Sequence, residues 1–241
     1  MKRKLFLFVI LILIMCGCDR REDKLIMVTE AGFAPYEYYS DGKIVGVDVD
    51  IAREIAKEMG RKLVVKDVAF DSIITEVKIG KSDIGAAGIS YTEERAKQVD
   101  FSVNYTISKQ VVVVKYGSSI KSISDLKNKR IAVQLGSIAD MYVSDEFSNN
   151  RIIRQKKYLA AIQDLKDNKV DCVVMDELPA QAILNENREL SILDEALAED
   201  SYGIVVDKGN SELLEVVNRV INRLKSEGKI DEFILNHEKN S

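Results

Sequence analysis

One histidine, two prolines and three cysteines are all that this 241-residue chain holds of three residue types that often announce chemistry or architecture. With His237 alone, a His-dependent triad cannot be assembled, and a zinc site of the His/Cys type has almost nothing to draw on. Most hydrolase chemistry is excluded, and no metal or cofactor is expected. No long basic block or basic–aromatic stripe follows residue 4, and 35 Lys+Arg against 39 Asp+Glu leave a net charge of −4. Nucleic acid is therefore not an expected partner. Pro35 and Pro179 make no Pro-rich linker, and the chain has neither low-complexity segments nor repeats by identity. What is present, 46% hydrophobic and 31% charged residues, is a composition that buries a core and folds. The length admits one large domain or two small ones.

Residues 1–17 read as an address. Lys2, Arg3 and Lys4 precede an unbroken apolar run over residues 5–15, followed by Cys16-Gly17-Cys18. A bilayer-spanning helix needs about 20 apolar residues, so this shorter run has the form of a signal-peptide core. The segment resembles a bacterial lipoprotein signal, which implies cleavage after Gly17 and lipidation of Cys18; an uncleaved anchor or an ordinary secretory signal are the alternatives. Removing residues 1–17 takes away three basic residues and no acid, moving the net charge from −4 to −7. Residues 18–23 would be a short tether. Besides Cys18 only Cys172 then remains, and within Val170-Asp171-Cys172-Val173-Val174-Met175 it reads as a small core residue.

From residue 24 the pattern alternates strand and helix. A strand over 24–29 is followed by Val47, Ile51, Ala52, Ile55, Ala56 and Met59 at helical spacing, closed by Gly60. Strand 63–65 follows, then a helix that Asp71 can cap and Gly80 ends, then a small-residue strand over 83–88. A second series opens with four valines, 111–114, typical of a strand covered on both faces. It continues with strands 130–134, 151–154 and 170–175, each leading into a helix. A strand over 202–206 and a long amphipathic helix ended by Gly228 complete the chain. The fold class is α/β, with two mostly parallel units.

Four loops at strand ends can carry chemistry, because ligands of open α/β sheets gather at the carboxyl ends of strands. The first, Glu30 to Tyr38, holds an acid and aromatics beside Pro35, although such clusters also serve as loop packing. In the second, Gly88 to Arg95, Thr92 is a plausible N-cap, and Glu93 and Glu94 suit the first helical turn. Arg95 is the misfit there: either a solvated surface arginine or a guanidinium clamp for a carboxylate. The third, Gln134-Leu135-Gly136-Ser137-Ile138, offers amides at a helix start to an anion. In the fourth, Asp176 is either a helix cap or a carboxylate aimed at a cation. Together they form an inventory suited to a zwitterion held between two units.

The motif order resembles the polar amino-acid solute-binding proteins of ABC importers, with the type II periplasmic-binding-protein fold, from about Lys24 to Leu235. Phe33-Ala34-Pro35-Tyr36-Glu37, Gly42 to Ala52, Phe70-Asp71-Ser72-Ile73-Ile74, Gly80 to Ile84, Gly88 to Arg95 and Val99-Asp100-Phe101-Ser102 carry it. The resemblance implies two lobes, 24–108 with 203–241 and 109–202, joined by two crossing strands. It implies that Arg95 pairs with the ligand α-carboxylate, helped by Ser90 and the amides of Ser137 and Ile138. The Gly88 carbonyl, Ser90 and Asp176 would surround the α-ammonium, Phe33 and Phe70 would sandwich the side chain, and Gln134 would line the pocket. Glu30 falls where members selective for basic amino acids carry an acid, which favours arginine, lysine or histidine, with glutamine or another neutral polar amino acid open. The expected protein is a monomeric, lipid-anchored receptor on the outer face of the cytoplasmic membrane, binding a free amino acid by hinge closure for a permease. A dehydratase acting on prephenate or arogenate, with Glu30 or Glu177 as acid, and a ligand-sensing module are the other readings.

Overall fold

The computed structural model describes residues 23–239; the signal segment and Cys18 lie outside the described residues. Strands β1 (Lys24–Thr29), β4 (Lys62–Asp67), β5 (Ile84–Gly85), β6 (Val99–Phe101) and β13 (Val205–Asp207) form one sheet, in the order β4-β1-β5-β13-β6. Strands β7 (Thr106–Lys115), β8 (Arg130–Gln134), β9 (Arg151–Gln155), β10 (Cys172–Asp176) and β11 (Leu190–Ile192) form the second, in the order β11-β7-β10-β8-β9, with β12 (Ala198–Tyr202) also on β7. The result is two α/β lobes.

Both sheets are mixed. β1 runs parallel to β4 and β5, and β8 parallel to β9 and β10. β13 and β7, which the chain lays down on arriving from the other lobe, are antiparallel to their neighbours. Each lobe thus keeps a parallel centre made by strand–helix–strand crossovers and adds antiparallel strands where the chain returns.

Alternation along the strands builds the cores. Val111 and Val113 of β7 point into an apolar cluster with Val173 and Met175 of β10, while Val112 and Val114 join Cys172, Val174, Ile131 and Val133 on the opposite face. Four consecutive valines are buried because both faces of the sheet are covered. Cys172 is a fully buried free thiol among them, and burial pushes its pKa up to about 12. In the first lobe, α1 (Val47–Glu58) buries Val47, Ile51 and Ile55 against Leu25 and Met27 and against Val217, Val220 and Ile221 of α7 (Ser211–Ser226).

Several details depart from the sequence pattern. Asp71 does not cap a helix: it lies in a 3-10 turn, Phe70–Ser72, and Ser72 occupies the cap position of α2 (Ile73–Lys78). The stretch 202–206 is two strands, because the chain changes lobes at Gly203 and Ile204. A hairpin of β2 (Tyr38–Ser40) and β3 (Lys43–Val45) and a last helix, α8 (Lys229–Glu238), are additional. The lone histidine sits on α8. His237 Nε2 lies 2.8 Å from Asp50 Oδ2 of α1, and Nδ1 lies 3.0 Å from the Tyr38 hydroxyl.

The chain passes between sheets twice, at 102–105 and 203–204. The crossings are tied to each other: the Tyr105 amide donates to the Tyr202 carbonyl (3.0 Å) and the Ser102 amide to the Ile204 carbonyl (2.9 Å). A second tie holds the Phe33–Glu37 loop to the start of α1, where the amides of Val47 and Asp48 donate to the carbonyls of Pro35 and Tyr36. Gly46 makes this approach possible. Its φ is 132°, and a Cβ there would lie 2.0 Å from the Tyr36 carbonyl oxygen. Gly46→Ala should therefore cost about 2 kcal/mol or more, read as a lower urea midpoint than the parent protein.

Candidate functional site

All ten pocket residues picked from the sequence line one cavity between the lobes, completed by Glu37, Ala87, Gln110 and Tyr158 and nearly filled by their side chains, with about 10 Å³ left open.

Arg95 reaches the cavity because α3 (Glu93–Ala96) begins beside it. The Thr92 hydroxyl accepts from the Arg95 amide at 3.1 Å, fixing the helix start and pointing the arginine inward. Its guanidinium is buried, with Nη1 donating to the Ser90 carbonyl (2.7 Å) and Nη2 to the Gly136 carbonyl of the other lobe (2.8 Å). Phe70 lies under it, 5.6 Å from ring centroid to guanidinium carbon. Burial lowers the pKa of Arg95 from its usual value, but arginine stays charged in a protein.

Asp176 ends β10 and holds the N-cap position of α6 (Glu177–Glu186), yet its side chain makes no capping bond. It turns into the cavity instead. Oδ1 accepts from Ser108 Oγ (2.9 Å), Gln110 Nε2 (2.7 Å) and the Tyr202 hydroxyl. Burial and the nearby charge of Asp200 raise its pKa despite those donors. Asp200 in turn accepts from Ser90 Oγ.

Glu30, 1% exposed, is held from the opposite lobe at both oxygens. Lys157 Nζ lies 3.1 Å from Oε1, and Gln134 Nε2 donates to Oε2 at 3.1 Å. Burial raises its pKa, with Lys157 and Gln134 working against that rise.

Gly88 has φ +55°, and its amide donates to Asp48 Oδ2 at 3.0 Å. Phe33 covers Gly88 and stacks on Tyr36 and on Tyr158, with centroids 5.8 and 5.6 Å apart. Tyr158 starts α5 (Tyr158–Lys166) in the second lobe, so this stack also bridges the cleft. At the start of α4 (Ile138–Glu146), Ser137 accepts from the Asp140 amide at 3.1 Å, and its own amide donates to the Gln134 carbonyl at 3.2 Å. The Gly136 amide donates to Asp140 Oδ2. Two of the loop's amides are thus already engaged, one within the loop and one by the following helix, and Ile138 opens that helix at the cavity wall.

The main omissions of the sequence reading are Gln110, Tyr158 and Lys157. Gln110 is the one amide at the head of a valine run, and Lys157 is a cation at a helix N-cap, the same kind of misfit that exposed Arg95. Among the described residues no group of three or more His, Cys, Asp or Glu could hold a metal ion. The arrangement presents a cation from one lobe and a carboxylate from the other to a shared cavity.

Residues 25–237 match the family model of bacterial extracellular solute-binding proteins, family 3. The chain belongs to that family. Similar to it is the arginine-binding extracellular protein ArtP of Bacillus subtilis, 32% identical over 222 residues, or 90% of this chain and 87% of the relative. An amino-acid ABC transporter substrate-binding protein of Streptococcus pneumoniae, solved with L-arginine, superposes with a TM-score of 0.87 at 34% identity, covering 90% of this chain and 95% of the other. An ancestral arginine-binding protein solved with glutamine is 41% identical, with a TM-score of 0.83 and coverage of 88% and 96%. As in this extracellular family generally, the fold is a mixed α/β protein of two lobes.

Two outcomes follow from the geometry. Gly88→Ala places a Cβ 2.7 Å from the Phe33 ring at a positive φ, so the ring must move; the midpoint of thermal unfolding should drop by several degrees, about 1–3 kcal/mol. The second concerns pH. Burial raises Asp48 from 3.8 to about 6, and Asp176 also upward, so the folded protein holds extra protons above pH 4. The lowered carboxyls, such as Asp100 and Asp171, act only below that range. Stability should therefore fall as pH rises from about 4 to about 6, and urea midpoints measured across that window should decrease.

Proposed function

We propose that this protein binds a free L-amino acid between its lobes and delivers it to the permease of an ABC importer. The observation that carries this reading is the pairing of Arg95 from one lobe with Asp176 from the other across one cavity. An α-carboxylate meets the remaining guanidinium N–H groups, and an α-ammonium meets the raised carboxyl of Asp176, giving that buried acid the counter-charge it needs. Phe33, Phe70 and Tyr158 supply apolar walls, and Glu30 favours a basic side chain: arginine, lysine or histidine. Names of relatives that include arginine binding support this preference, and glutamine in one solved neighbour keeps neutral polar side chains within range.

The crossings at 102–105 and 203–204 serve as the hinge, and contact between lobes completes the site on closure. The protein acts as a monomer and without turnover. Glu177 does not line the cavity and Glu30 is held by Lys157, so neither carboxyl supports a dehydratase role. Cys18 carries the lipid that tethers the receptor to the outer face of the cytoplasmic membrane; Cys18→Ser should abolish incorporation of labelled fatty acid and release the protein.

Arg95→Ala and Asp176→Ala should each weaken arginine binding at least about 100-fold in titration calorimetry, as expected when one member of a desolvated charge pair is removed. Circular dichroism should show both variants folded. Parent-like affinity in either folded variant contradicts its assigned role.

A further inference from the structure

Glu30 already has a cation before any ligand charge is considered. Lys157 Nζ stands 3.1 Å from Glu30 Oε1 and 3.3 Å from Asp67 Oδ2, so one ammonium is shared between two carboxylates. Glu30 is buried at the cavity wall, while Asp67 and the lysine side chain are partly solvent-exposed. Asp67 is rigidly placed by other bonds: Oδ1 accepts from the Ala31 amide at 2.9 Å and Oδ2 from the Tyr39 hydroxyl at 3.2 Å. Gln134, the other donor to Glu30, also has the Lys156 carbonyl at 3.1 Å.

This arrangement bears on which side chains the pocket accepts. A buried carboxylate without a counter-charge is costly, so a neutral ligand side chain is tolerated only while Lys157 stays on Glu30. A cationic side chain brings its own charge to Glu30, and two cations on one carboxylate repel. Lysine is a compact charge on a flexible stem, and Asp67 lies within reach as an alternative partner on the wetter side. On the amino-acid-binding reading above, we infer that Lys157 is a specificity-determining residue: it neutralises Glu30 when the bound side chain is uncharged and moves onto Asp67 when the side chain is cationic. One pocket then accommodates both classes, and the balance between Glu30 and Asp67 for a single ammonium sets the preference.

The test is calorimetric titration of L-arginine and L-glutamine into the parent protein, Lys157→Ala, Lys157→Met and Asp67→Asn. Either lysine variant should weaken glutamine at least about tenfold while leaving arginine within about threefold or tightening it, shifting the ratio of the two constants toward arginine. Lys157→Met keeps the apolar stem and so separates charge from packing. Asp67→Asn keeps an oxygen for the Ala31 amide but frees Lys157 onto Glu30, so arginine should weaken at least about threefold and glutamine should not. Equal loss for both ligands in the lysine variants, or no loss for either, overturns the specificity role and leaves Lys157 a simple clasp between lobes. A parent protein that binds no amino acid overturns the binding reading, and this inference with it.

Discussion

A charge taken out of water must be answered by another, and this fold arranges several that are only partly answered. Asp176, Asp200, Glu30, Glu37 and Asp48 are all carboxyls whose pKa burial pushes upward. Against them stand one buried arginine, Arg95, and one half-exposed lysine, Lys157. The protein carries this cost at the junction of its lobes, where hydroxyls of Tyr105 and Tyr202 and the amide of Gln110 share out the load. A zwitterion placed as proposed, ammonium toward Asp176 and carboxylate toward Arg95, would answer one buried charge of each sign without changing the net charge of the cavity.

Several of the same groups also make contacts between the lobes. Arg95 lies on the first lobe and touches the Gly136 carbonyl of the second; Glu30 lies on the first and holds Gln134 and Lys157 of the second; Phe33 stacks on Tyr158 across the cleft. Arg95, Glu30 and Phe33 therefore each have a partner on the far side. On the proposed function, a ligand would shift the hinge equilibrium only as far as it binds the closed arrangement more tightly than the open one.

The sequence made the site more legible than the sheets. Arg95 stood out because a cation is misplaced in a first helical turn, and Asp176 because an acid ended a buried strand; both line the cavity between the lobes. Thr92 was readable as a cap and does cap its helix; Ser137, at a readable helix start, caps its own. Gln110 was hidden because the valine run dominates its neighbourhood, and Lys157 because an exposed-looking Lys-Lys pair reads as surface. Strand β12, Ala198–Tyr202, carries too many polar residues to read fully as a strand; its pairing with β7 comes from a long-range register that no local pattern encodes. The antiparallel strands were missed for the same reason, since strand direction depends on where the chain re-enters a sheet. Helix α8 was obscured by its polar surface and is held in place by long-range contacts such as the His237–Asp50 pair.

The central claim, that Arg95 and Asp176 hold an amino-acid zwitterion between the lobes, is tested most directly by thermal unfolding with each of the standard amino acids after refolding to remove bound ligand. A ligand at about 1,000 times its dissociation constant adds roughly 4 kcal/mol, and a chain of this size gains roughly 2–4 °C for each kcal/mol. The account predicts a large rise of the midpoint with arginine or another basic amino acid, a smaller one with glutamine, and none with aspartate or glutamate. A midpoint unmoved by every amino acid would contradict it.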